Sequence, residues 1–379
     1  MYVVSSAKRW GHYFAGSLVA IGLLTACAGT NKAKVADLVA NPASMGVKAA
    51  WTSSMGSVAF PLEIKVIGTH LYIAGTDGVV AAIDGRTGGD LWRITTKPQI
   101  TAGVGSDGRF TAITNRSNEL VVLDNGREIW RQQLTALTLT APLVAGERVF
   151  VLSGDRSVSA FDAATGRKLW QLQRPGDALV LQQAGVILAV GDSLLVGSGG
   201  RMMGLNPQTG TVRWETPVAS SRGTNEVERL VDLVAGTSRN GDQVCVRAFQ
   251  SAVACMDGAR GTSAWNKAAI GSTGIGGDSN VVFGAESNGT LIAWRRSDGD
   301  KLWANELLKY RTLTAPLLVG RALVVGDGSG YVHFLSADNG STLNRVITDG
   351  SAVVAGPVLV GQTVVVVTRR GGVFGFRPE

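Results

Sequence analysis

An all-β, eight-bladed β-propeller of four-stranded blades is the fold this sequence predicts, and three observations predict it. A hairpin pattern recurs about every forty residues, a tryptophan holds the same phase in nearly every copy, and the chain ends in strands with no tryptophan after them. The sharpest copy is Ser157–Trp170, SVSAFDAATGRKLW. Val158, Ala160 and Asp162 alternate with Ser159 and Phe161, the period of two of a β-strand. Asp162-Ala-Ala-Thr-Gly166 closes a tight turn, with a short side chain that bonds its own backbone and a glycine that tolerates positive φ. Arg167 to Gln171 returns as a second strand around Leu169 and Trp170.

The other copies justify the remaining blades. Gly78–Trp92 keeps Asp84 and Gly88, and Asn118–Trp130 has a turn two residues shorter around Gly126. Arg201–Trp214 places Asn206 where the aspartate was, and Ala252–Trp265 keeps Asp257 and Gly261. Gly289–Trp303 keeps Gly299 with Arg295 at the aspartate position, while Gly330–Asn344 keeps Gly340 and has lost the tryptophan. With Trp51 ahead of them all, the anchors fall at 51, 92, 130, 170, 214, 265, 303 and 344. A fixed period near forty with a hairpin in each unit is the signature of a propeller. Trp51 precedes any full blade and VLVGQTVVVVTRRGGVFGFR has no anchor after it, so the strand near Trp51 is expected to join the C-terminal strands and close the ring. Seven of the nine tryptophans lie on the period, which gives them a packing role between blades.

Fifty glycines and 17% charged residues suit many short strands joined by tight turns. The net charge of +7 is diffuse, with no block of five basic residues, so no nucleic-acid partner is expected. Of three histidines, His12 lies in the leader and His70 and His333 in predicted strands. There is no Gly-x-Ser-x-Gly elbow, phosphate loop or metal-spaced cluster. The turn aspartates (Asp84, Asp124, Asp162, Asp257) have a structural task. No catalytic residue, metal or cofactor is therefore expected.

The N-terminus carries its own reading. Lys8 and Arg9 precede a 13-residue apolar run, Phe14–Ala26, which is a signal-peptide core and too short to span a bilayer. It ends in Leu24-Thr25-Ala26-Cys27, which resembles the bacterial lipobox, so residues 1–26 are expected to be removed and Cys27 lipidated. Ala28 rather than an aspartate follows, the pattern associated with sorting to the outer membrane. Residues 27–46 form the lipidated cysteine and a flexible tether in this reading, and 47–379 the propeller. The remaining cysteines lie in VCVRAFQSAVACM, two strands around a turn at Phe249-Gln250-Ser251. Pairing Ala248 with Ala252 places Cys245 opposite Cys255, so a cross-strand disulfide is expected in an oxidising compartment.

Function on a rigid scaffold is sought in its loops. Two neighbouring gaps are wide: Trp214 to Trp265, whose excess lies in residues 219–236 with apolar Val227, Leu230 and Leu233, and Trp170 to Trp214, which contains residues 174–185. Extra length with an amphipathic pattern suggests a protein-binding surface.

The unit Ala-x-Asp-x-x-Thr-Gly-x-x-x-Trp resembles the repeat of quinoprotein alcohol dehydrogenases. With the lipobox, eight blades, Thr224–Asp232, Leu313–Val319 and Val324–His333, the mature chain resembles the lipoprotein family of the outer-membrane β-barrel assembly machinery. That resemblance implies a non-enzymatic scaffold, anchored to the outer membrane and facing the periplasm, that binds the periplasmic repeats of the barrel insertase BamA. Other subunits of the complex and unfolded outer-membrane proteins are further implied partners. The family's Leu-x-Leu-Arg pattern falls on Leu179, Leu181 and Gln182, without the arginine. Its Glu-x-x-Arg-Leu-x-Asp-x-Asp pattern falls on Glu226, Arg229, Leu230 and Asp232, with Val234 at the second aspartate. The resemblance implies that Leu179, Leu181 and Leu230 bury against the insertase while Arg229 and Asp232 fix register. Two other readings stand beside it: a periplasmic quinoprotein-type dehydrogenase, and a propeller lipoprotein with another envelope partner.

Overall fold

The second and third strands of each repeat are continuous apolar runs, because both of their faces meet neighbouring sheets. Leu120, Val121, Val122 and Leu123 are fully buried, whereas the next strand, Arg127–Gln133, alternates between exposed and half-buried. In the computed structural model, which describes residues 33–174, 181–220 and 231–379, these runs build eight four-stranded antiparallel sheets around one axis. Blades 1 to 7 span 65–95, 105–133, 143–172, 187–217, 233–268, 275–305 and 317–347. Blade 8 combines Val358–Val360, Thr363–Val367 and Gly372–Pro378 with the N-terminal strand Val47–Ser54. Its closing register runs from Val47 opposite Pro378 to Ser54 opposite Gly372. The ring is closed as the sequence predicts.

The tryptophans join each blade to the next. The glycine of each following turn has positive φ, and a Cβ there would overlap the indole beneath it. The pairs are Gly88 on Trp51, Gly126 on Trp92, Gly166 on Trp130, Gly210 on Trp170, Gly261 on Trp214 and Gly299 on Trp265. The indole N–H then donates to a carbonyl of that turn, as from Trp130 to Ala163 at 2.8 Å and from Trp265 to Arg296 at 2.7 Å. Inside each turn the aspartate caps the backbone: the Asp162 carboxylate accepts from the N–H and hydroxyl of Thr165, both at 2.8 Å.

Blade 7 lacks its tryptophan for a physical reason. The two outer strands of blade 8 are opposite ends of the chain, so no turn exists there for an indole to clamp. Asn344 stands in its place and donates to the carbonyl of Met45 at 2.6 Å, while the N–H of Glu379 reaches Gly46 at 2.9 Å.

One expectation is corrected. The described part of the stretch read as a flexible tether lies along blade 7. Ala36 N–H donates to Lys309 and Ser44 N–H to Leu343. Arg311 and Arg345 donate to the carbonyls of Ala36 and Val39, and Leu38 packs on the core that includes Leu308 and Leu313. Partners some 300 residues away supply the order that local periodicity did not reveal. Cys27 lies outside the described residues.

In blade 5 a disulfide joins Cys245 to Cys255, which are directly opposed across adjacent strands. The first strands and their entry segments surround an axial channel of about 1220 Å³. Glu63 lines it, and burial pushes its carboxyl up to about 7 against the pull of Lys65 and the Ala141 backbone. The fold thus favours the protonated acid. Between the ordinary value of 4.5 and about 7, stability contributed by this group falls as pH rises. Glu63→Gln should therefore be more stable than wild type at pH 8, by roughly 2 kcal/mol once solvent screening of this half-buried side chain is allowed for, and converge with it near pH 4.5. Thermal melts across that range check this; an offset that does not change with pH would contradict it.

Candidate protein-binding surface

The two wide connections occur where blade 3 passes to blade 4 and blade 4 to blade 5. Their ends are fastened to rigid strands. Arg174 holds Glu215 through both carboxylate oxygens at 3.1 and 2.9 Å, which fixes the start of the first connection against blade 4. Its far end is tied to the second: Ala235 N–H donates to Ala184, and Gly185 bridges to Val234. Leu179, Glu226, Arg229 and Leu230 lie outside the described residues.

Asp232 organises the junction. Its carboxylate accepts from Gly199 N–H at 3.0 Å and Leu181 N–H at 3.5 Å, with Arg156 Nη2 at 4.0 Å. Its carbonyl accepts from Phe249 N–H. One side chain therefore touches both connections and the tight turn of blade 4. Leu181, half-buried, lines two adjoining grooves. One, about 820 Å³, is largely apolar, with Val231, Phe249 and Ile270; the other, about 1070 Å³, includes Leu137, Arg156, Gln182 and Asp232. Gln182 is exposed beside the same channel mouth.

The structure thus brings Leu181, Gln182 and Asp232 together. It also revises two details of the second connection. Leu233, read as part of the surface excess, is buried in the core, and Leu233–Gly236 already belongs to a strand. Val234 is buried as well, so an apolar residue suits the position where the resemblance places an aspartate. From the sequence Phe249 reads only as a turn residue and Ile270 is not singled out. The first lies in the turn between the middle strands of blade 5 and the second just past its outer strand, and no length anomaly marks them. Among the described residues no group of three or more His, Cys, Asp or Glu is arranged to hold a metal ion.

Eight minimal blades and the tryptophan-clamped turn define a quinoprotein-like β-propeller, with loop-borne grooves where blades 3, 4 and 5 meet. Residues 76–305 match the profile of the family described as outer membrane protein assembly factor BamB. The chain belongs to that family. It is 37% identical over 339 residues to the outer membrane protein assembly factor BamB of Burkholderia pseudomallei, covering 88% of this chain and 89% of that one. To the protein of the same name from Bordetella pertussis it is 35% identical over 374 residues, covering 96% and 97%. Among solved structures, BamB from Moraxella catarrhalis superposes with a TM-score of 0.80 at 24% identity, over 88% of this chain and all of that one (100%). Quinohemoprotein alcohol dehydrogenase from Comamonas testosteroni gives 0.66 at 15% identity, over 87% and 76%, which shows a shared fold alone.

Proposed function

We propose that this chain is a non-enzymatic scaffold of the outer-membrane protein assembly machinery, lipid-anchored at Cys27, and that it binds the periplasmic repeats of the insertase BamA. The observation that carries the reading is the near full-length match to two relatives named as assembly factors. The geometry supports a division of labour within the site. Leu181 supplies an apolar anchor between two grooves, the arrangement from which interfaces draw most of their energy. Asp232 acts through others: it holds the two connections in register and leaves Gln182 on the rim.

The test is a titration of residues 28–379 against the periplasmic repeats of the same organism's insertase. A Kd at or below about 10 µM is expected, weakened at least ~10-fold by Leu181→Asp with the melting temperature unchanged. Asp232→Asn should weaken binding and also speed proteolysis of the two connections, the mark of a positioning role. No binding by wild type would sink the choice of partner; unimpaired binding by Leu181→Asp would sink the choice of surface.

A further inference from the structure

The segment that docks on blade 7 is gripped more firmly than a spacer requires. Arg311 reaches the Ala36 carbonyl at 2.9 Å while its Nε is held at 2.8 Å by the buried Asp327 carboxylate, which also lies 3.0 Å from His333 Nε2. Arg345 grips the Val39 carbonyl through both terminal nitrogens at 3.2 Å. Asn41 donates to Asn344 and to the Arg345 carbonyl at 3.0 and 3.1 Å. The segment is extended, with Ala36 and Leu38 turned inward and Val35, Asp37 and Val39 outward.

The outward side continues into an apolar corner between blades 6 and 7. Val35 is 46% exposed, Val39 49%, Leu307 40%, Tyr310 42% and Ile347 53%. The bonds above gather them: Ala36 sits on Lys309, and Ile347 is paired with Tyr331, whose ring faces Arg345 and Arg311. Glu306 and Asp37 are the carboxylates among them, Glu306 being paired with Lys309 at 2.6 Å. Such a mixture of branched aliphatics and a tyrosine suits the headgroup–acyl boundary of a bilayer.

Chain length chooses the occupant. Only seven residues, 28–34, lie between Cys27 and Val35, so the chain can carry the backbone of a lipidated Cys27 no farther than ~29 Å from Val35. A tether that short holds the corner at a high effective concentration of membrane, where a patch too small to bind alone is sufficient. We infer that the corner formed by Val35, Val39, Leu307, Tyr310 and Ile347 is a membrane-contacting edge that seats the propeller on the lipid surface. The inference rests on lipid anchoring at Cys27.

The test uses the full lipidated chain in phosphatidylethanolamine–phosphatidylglycerol vesicles that carry a doxyl-lipid quencher. An environment-sensitive fluorophore is placed on Ile347→Cys or, as control, on Ile129→Cys of blade 2. Quenching at least ~2-fold stronger at 347 than at 129, reduced to the control level by Tyr310→Asp, is the expected result. Vesicle flotation with equal or no quenching at the two positions would overturn the membrane edge while leaving the anchor intact. Failure to float would overturn the anchor and the edge together. A blue shift at 347 that depends on protein concentration and not on quencher would assign the corner to a second copy of the chain, which also overturns it.

Discussion

Glu286→Ala should cost 3–5 kcal/mol, lowering the melting midpoint by roughly 5 °C. Glu286 is the partner of Arg247, whose side chain is fully buried between blades 5 and 6; the ion pair measures 3.0 Å. The second Glu286 oxygen accepts from Ile270 N–H, Trp294 lies 5.9 Å from the guanidinium, and the glycines at 271 and 284 leave room that a Cβ would fill. Burial already pushes the guanidinium's proton affinity down, against the pull of Glu286. Without the carboxylate an uncompensated charge remains in a buried interface, where Arg247 Nε and Nη2 have no hydrogen-bond partner among the described residues. Replacing both residues together, as Arg247→Met with Glu286→Leu, should recover most of the loss or exceed wild type, because the desolvation cost disappears with the charges. Chemical denaturation of the three variants decides this. A single substitution costing under about 1 kcal/mol would mean that the pair is hydrated.

A comparable loss, ~2–4 kcal/mol, is expected for Trp130→Ala, which empties the space under the blade 3 turn and removes the bond to Ala163. Gly166→Ala should match it, since φ there is +72° and the new methyl would strike the Trp130 ring. The informative measurement is the double-mutant cycle. With the indole gone, Gly166→Ala should cost only the backbone part, about 1–2 kcal/mol, so the two changes should be clearly less than additive. Strict additivity would show that the glycine serves its turn alone.

The propeller was legible because its repeat is written in large, rare residues: tryptophan at one phase and glycine at the turn. The cross-strand register of Cys245 and Cys255 could be read because only three residues separate the two strands. What escaped were relations across blades. Arg247 and Glu286 stand 39 residues apart, one repeat, and nothing in either strand marks the pair. The docked N-terminal segment escaped for the same reason, its bonds coming from Asn344, Arg345 and Arg311. In the candidate surface, loop length located the region, yet it could not separate Leu233, which turns into the core, from Leu181, which does not.

The pairing of Val47–Ser54 with Gly372–Pro378 has a temporal consequence. The first described strand needs the last one, and 317 residues (372 − 54 − 1) separate them. At ordinary synthesis rates the early strand waits about 15–60 s with its backbone unpaired. A chain cut short by even one strand never ends that wait, and it presents proteases with an open edge. The circle thereby works as a completeness check: only a finished polypeptide can hide its own beginning.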